Sequence, residues 1–159
     1  VMAAFTAKTV APAQVHLLYP LMREAVPALD LKTWLGFARR LTRGTRAGIV
    51  AVTRRGRDMP CGVFIFRCQR SLRGAELVAE HFVALDVLHP GAVMQALVAE
   101  LDALAERRRC TTVRVLLAGD ASLLREGLTA AGHEPQGLAL RKSLGRHTVL
   151  PDAGEERHS

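Results

Sequence analysis

A chain of 159 residues with an apolar fraction of 49% suits one globular domain, able to bury roughly 70% of the surface exposed by its unfolded form without disulfide staples. No stretch approaches the ~18 consecutive apolar residues of a membrane span, and the opening VMAAFTAKTV lacks the charged start and continuous apolar segment of a secretory signal, so the expectation is a cytoplasmic protein with no membrane partner. The formal charge of +7 favours an anionic partner, but with aromatic residues at only 4% the stacking platforms of a nucleic-acid binder are scarce, which disfavours that class.

Taken in order, Phe5–Val10 alternates loosely as a first strand, closed before Pro12, which can open a helix. Val15, Leu18, Met22 and Val26 then fall at helical spacing, and Pro20 inside that run should kink or divide the helix at Tyr19. Asp30 caps a second helix, in which Leu31, Trp34, Leu35, Ala38 and Leu41 form an apolar stripe that stops before Gly44.

The period then becomes extended. Ala47–Thr53 and Cys61–Gln69 read as a hairpin across the polar turn Arg54–Pro60, and Ser71-Leu72-Arg73-Gly74 leads into a third strand, Ala75 to about Leu88, completing an antiparallel meander. On that strand Leu77, Ala79, Val83, Leu85 and Val87 share one parity and should face the core, while Glu76, Glu80 and Asp86 share the other. His81, on the apolar parity, is expected to point inward beside Val83.

Leu88-His89-Pro90-Gly91 turns the chain into a helix from Ala92 to Arg107, with Val93, Leu97, Leu101 and Leu104 on one stripe, broadened by Met94 and Val98. A strand feeding straight into a helix N-terminus brings unpaired N–H groups and the positive end of a helix dipole to the strand's carboxyl edge, a natural anion site. Thr111–Leu117 follows as a strand parallel to its neighbour, then a helix capped by Asp120 and ended by Gly132, then a last strand over Gly137–Leu144. Residues 1–145 thus form a single domain, and 146–159 are expected to be a polar, disordered tail. The three cysteines, Cys61, Cys68 and Cys110, have no metal-ligand spacing and are read as buried free thiols, with no metal expected.

The order strand, two helices, three-stranded meander, helix, strand, helix, strand resembles the GNAT superfamily of N-acetyltransferases over nearly the whole chain. Two local cues accompany it: the strand-turn-helix of Glu80–Leu101, and Leu124–Pro135, which looks like that family's penultimate helix running into a Gly-Phe-Glu-Pro turn, here Gly132-His133-Glu134-Pro135. The resemblance implies an α/β (α+β) fold with a mixed, mostly antiparallel central sheet and helices on both faces. It also implies transfer of an acyl group from acetyl-CoA or another acyl-CoA to a small amine or a protein amino group.

The resemblance places the cofactor at Asp86, Val87, Leu88, Gly91, Ala92, Val93, Met94 and Gln95, and makes Glu80 the candidate general base, with His81 and Asp86 as alternatives. The family's Gln/Arg-x-x-Gly-x-Gly/Ala pyrophosphate loop falls on His89-Pro90-Gly91-Ala92-Val93-Met94, where Ala92 and Met94 replace the small residues. Where the family often has a tyrosine acid, four residues before Gly132, stands Leu128. Two readings therefore stay open beside the enzyme: a non-catalytic member of the same fold, and, more weakly, a basic nucleic-acid-binding module. A strand edge near the C-terminus leaves homodimer pairing open.

Overall fold

Two prolines decide how the chain begins. The computed structural model describes residues 4–137 and 139–144. After the first strand, β1 (Phe5–Thr9), Pro12 occupies the first turn of a 3-10 segment, Pro12–Leu18, and Pro20 that of α1 (Tyr19–Ala25). What the periodicity presents as one helix is thus divided at Leu18/Tyr19, because each proline lacks the N–H that would continue the preceding ladder. In α2 (Leu31–Arg43) the Asp30 carboxylate accepts the Thr33 N–H at 2.7 Å, satisfying one of the orphan donors of the first turn. Trp34 is 1% exposed, and its indole N–H donates to the Val15 carbonyl at 2.7 Å. That bond ties α2 to the 3-10 segment.

The remaining elements are β2 (Ala47–Arg54), β3 (Pro60–Ser71), β4 (Gly74–Ala84), α3 (Pro90–Arg107), β5 (Thr112–Val115) and α4 (Ser122–Ala130). The sheet runs β1-β2-β3-β4-β5, antiparallel except for the parallel β4–β5 pair. One face carries Val50, Val52, Phe64, Phe66, Leu77 and Ala79 against α3 and α4; the other carries Ile49, Ala51, Val63, Ile65 and Val83 against the 3-10 segment, α1 and α2. This is the mixed, mostly antiparallel sheet covered on both faces that the pattern of the sequence predicts. No helix among the described residues is long and apolar enough to cross a membrane.

Three expectations are corrected. β4 ends at Ala84 rather than Leu88: Leu85 still donates to the Cys61 carbonyl at 2.7 Å, but β3 begins at Pro60, which offers no N–H, so the ladder stops and Val87 (99%) and Leu88 (75%) are exposed. The simple alternation along β4 also fails, because His81 has φ near +56° and is an extra residue: Ile65 pairs with Glu80 and Val63 with Val83, two steps on β3 against three on β4. The bulge reverses the parity. Val83 joins the α1/α2 core while Phe82 stacks on Phe64 at 4.9 Å on the other face, and His81 itself is exposed rather than inward.

The third correction concerns the last strand. Residues 137 and 139–144 are not extended into any ladder, and Leu140 and Leu144 are exposed; Leu138 and the expected tail at 146–159 lie outside the described residues. The alternation there is real in the sequence, but a strand needs a partner to satisfy its backbone, and the pattern alone does not supply one.

Gly62 on β3 sets how closely α3 lies on the sheet. A Cβ there would sit 2.6 Å from Val93 Cγ1 and 3.3 Å from both Leu97 Cδ1 and Val52 Cβ, all in the packed core. Gly62→Ala is expected to destabilise the fold by about 1–3 kcal/mol through overpacking, read as a lower denaturation midpoint with unchanged m-value. An unaffected midpoint would mean that the first turns of α3 can lift without cost.

Candidate functional site

The carboxyl ends of the parallel strands β4 and β5 lie at one end of the sheet, where the strands part. Their pairing covers only Glu76–Ala79 with Thr112–Val115, and the last bond across it runs from Leu116 N–H to the Ala79 carbonyl at 2.9 Å. β4 continues to Ala84 paired with β3 alone, so from Glu80 onward its β5-facing edge is open. The bulge at His81 falls just past the point of separation. A twist there turns β4 away from any straight continuation of β5.

Glu80 is the first residue beyond the shared ladder. It lies across from Ile65, on the face covered by α1 and α2, and is half-buried; no hydrogen bond or ion pair engages its carboxylate among the described residues. Apolar side chains flank the opening: Leu85, Val87 and Leu88 after β4, Leu116 and Leu117 after β5, all exposed.

The N-terminus of α3 follows β4 after five residues, and its first turn packs Val93 on Gly62 of β3, which pairs with Ala84 at the end of β4. Pro90 takes its first position, where a missing N–H is harmless and φ is already helical. Val93 N–H donates to the His89 carbonyl at 3.2 Å, so the first-turn N–H groups left without an intrahelical acceptor are those of Gly91 and Ala92. The side chains of Val93 and Met94 are buried against the sheet, and Gln95 is exposed. Whatever Val93 and Met94 contribute to a ligand must therefore come from position, not from side-chain contact.

Asp86 organises the turn before the helix. Its Oδ1 accepts the N–H of His89 at 2.7 Å and of Leu88 at 3.0 Å, and its Oδ2 meets Arg54 Nη2 at 3.1 Å. Arg54 also reaches Nδ1 of His89 at 3.2 Å and lies over the Phe5 ring at 5.5 Å. The His89 N–H above all, then the Leu88 N–H and the Arg54 guanidinium, hold the Asp86 carboxyl below the usual carboxylate range, against the opposing effect of partial burial. The carboxylate thus consumes two of the N–H groups nearest the helix, while Arg54 and the first turn of α3 supply positive potential beside it. Sequence reasoning missed Arg54: it sits at the far end of β2, and only the sheet register brings it to Asp86.

Other titratable groups have structural partners. Tyr19 donates its hydroxyl to the Leu29 carbonyl at 2.8 Å, and Leu128 is buried between α4 and α3. His133 pairs with Asp102 at 2.9 Å, pinning the turn after α4 to α3. The cysteines are free and half-buried; burial first, and then the Asp86 charge, push the Cys61 thiol up, and burial followed by the neighbouring Cys68 does the same for Cys110. Among the described residues no cluster of three or more His, Cys, Asp or Glu is gathered for a metal.

No protein-family model matches the sequence, and no curated protein matches it. Solved structures do. An aminoglycoside N-acetyltransferase in complex with CoA superposes with a TM-score of 0.76 at 9% identity, over 90% of this chain and 96% of that one. A ribosomal-protein-alanine N-acetyltransferase from Brucella melitensis biovar Abortus 2308 gives 0.70 at 17% identity, over 88% and 99%. An aminoglycoside antibiotic 6'-N-acetyltransferase from Acinetobacter baumannii gives 0.69 at 14% identity, over 89% and 99%. At these identities the likeness is one of fold.

Asp86 yields a pH-dependent prediction. A carboxyl whose folded pKa is lowered contributes stability that is complete above its ordinary range and is lost as the pH falls through the folded value. Asp86→Asn should therefore melt below the native chain at neutral pH, and the gap should close on acidification towards about pH 2. A gap that persists in acid would show that shape, not charge, makes Asp86 matter.

Proposed function

We propose that this chain, whose fold is that of the GNAT acetyltransferases, is an acyl-CoA-dependent N-acyltransferase that acts on a small amine or a protein amino group. The observation that carries this reading is the parting of β4 from β5 at the His81 bulge, shortly before β4 ends at Ala84, whose partner Gly62 seats the first turn of α3. The residues there suit acyl-CoA. Gly91 and Ala92 offer N–H groups, and Arg54 offers positive charge, to a pyrophosphate. Leu85, Leu88, Leu116 and Leu117 offer apolar walls to the slender arm that follows it. The open backbone edge of β4 from Glu80 to Ala84 has donors and acceptors with no strand to pair with, so it can hold an extended amide-bearing ligand as a further strand would.

When bound, acyl-CoA supplies a thioester carbonyl, and a backbone N–H on that open edge is the donor suited to polarise it. Glu80, half-buried and without a partner, accepts the proton from the attacking amine, so that nitrogen forms the new C–N bond while the C–S bond breaks. Leu128, at the position where the resemblance expects a tyrosine acid, is an apolar core residue, so the departing thiolate takes its proton from water. Of the expected cofactor contacts, Asp86 acts by shaping the turn, Val87 and Leu88 by exposed apolar surface, Gly91 and Ala92 by their N–H groups, Val93 and Met94 by seating the helix on the sheet, and Gln95 by its exposed amide.

A second reading has its own support. Because the Asp86 carboxylate already occupies the Leu88 and His89 N–H groups, and because Leu128 is core, a ligand-binding but non-catalytic chain fits the same geometry. Calorimetric titration with acetyl-CoA and with CoA separates the outcomes: binding together with thiol release across a panel of amines supports the enzyme, binding without release supports the second reading, and no heat at millimolar ligand would sink both. Within the first reading, Glu80→Gln should lower turnover by about 10²-fold or more with CoA affinity unchanged; undiminished turnover would remove Glu80 from the chemistry.

A further inference from the structure

The opposite end of the sheet carries the charge. The segments spanning residues 39–47, 67–75 and 106–114 hold eleven of the chain's arginines, against Glu106 alone within them and Glu76 and Glu100 beside them. Formally those eleven arginines outweigh the three glutamates by more than the net +7 of the whole chain. The fold joins the three segments: Ala47 pairs with Arg67, Cys68 N–H donates to the Arg46 carbonyl at 2.6 Å, Thr111 donates its hydroxyl to the Arg73 carbonyl at 3.1 Å, and Arg108 reaches the Thr45 carbonyl while lying over the Phe66 ring. Glu100 and Glu76 are neutralised by Arg107 and Arg114 at 2.5 and 2.6 Å. Arg40, Arg43, Arg46, Arg67, Arg70, Arg73 and Arg109 are exposed and have no ion pair among the described residues.

Arg40, Arg46 and Arg67 border an open groove of about 700 Å³ whose apolar wall includes Phe37 and Leu41. We propose that this pole docks the phosphodiester backbone of a nucleic acid, with the groove between the last turns of α2, the start of β2 and the last third of β3 seating one phosphate beside a base on Phe37. The starts of β2, β4 and β5 and the end of β3 span about 14 Å at normal strand spacing, enough to present arginines to several nucleotides. The charge is almost wholly guanidinium, 19 Arg to 3 Lys, and that planar fork matches phosphate oxygens bidentately. A bilayer surface fits less well, since Leu72 is the one large apolar side chain exposed at the tip of the β3–β4 hairpin.

The test is fluorescence polarisation with short labelled single-stranded and duplex RNA and DNA across a salt series. Six neutralised phosphates give a slope of log K against log salt of about −4 on a single strand. Arg40→Glu with Arg46→Glu and Arg67→Glu should weaken binding at least about tenfold and flatten the slope by about 2 or more. Arg55→Glu with Arg57→Glu, in the β2–β3 turn at the far end of the sheet, should change affinity less than about twofold. Equal losses from the two charge reversals would overturn the proposal, as would binding to phosphatidylserine vesicles without binding to oligonucleotides, or no binding to either. Should the triple variant melt early, Arg70→Glu with Arg73→Glu at the hairpin tip gives the same comparison. These outcomes are read without acyl-CoA and do not depend on whether transfer occurs.

Discussion

With φ near +56°, His81 inserts into β4 one residue that β3 does not match, so the strand rotates and its alternation reverses. Everything near the opening follows from that turn. Upstream, Leu77 and Ala79 pack towards α3; downstream, Phe82 does so and Val83 crosses to the α1/α2 core. β5 cannot follow a strand that turns away from it, and the ladder ends at Val115. The backbone groups from Glu80 to Ala84 that would have bonded a neighbour are left facing an opening. Such groups are costly when dry, so the opening must be filled by water or by something that imitates a strand.

The helix beside the opening is fixed by a second constraint, the absence of a side chain at Gly62. It lets Val93 and Leu97 lie directly on the sheet, which puts the first turn of α3 level with the end of β4. The turn between them is then too short to form a wide loop of free N–H groups, and Asp86 closes it by accepting two of them. A carboxylate at a helix N-terminus is favourable for the turn and unfavourable for an incoming anion. Arg54, braced by Phe5 and paired with Asp86, removes part of that penalty.

Much of the fold was legible because it rests on local chemistry. Pro12, Pro20, the Asp30 cap, the stripes of α2 and α3 and the hairpin turn at Arg54–Pro60 each impose their own structure and needed no partner to be recognised. What depended on pairing was not legible. Nothing in Glu80-His81-Phe82 marks an extra residue, because a bulge is defined by the strand opposite; nothing in Ala139–Leu144 says that its alternation lacks a neighbour. The junction divides the same way: a strand running into a helix could be read from Leu88 to Gly91, whereas the ion pair of Asp86 required Arg54 from 32 residues away. The arginines were visible as clusters but not as one surface, since only the register between β2 and β3 and the bond from Thr111 to Arg73 join them.

The two ends of the β4–β5 pair can be weighed against each other electrostatically. At the carboxyl end, positive potential comes from a helix terminus and one shared arginine, enough to meet a single anionic group. At the amino end the negative terminus of α3 favours nearby cations by only about 0.3–1 kcal/mol, and the carboxylates of Glu76 and Glu100 are already satisfied by Arg114 and Arg107. Folding therefore asks for few of the arginines found there. Each further pair about 8 Å apart repels by about 0.5 kcal/mol even in water, so gathering seven unpaired guanidinium groups opposes the compact state. Among the described residues no carboxylate pairs with those seven, and a polyanion laid across the pole would offset the repulsion.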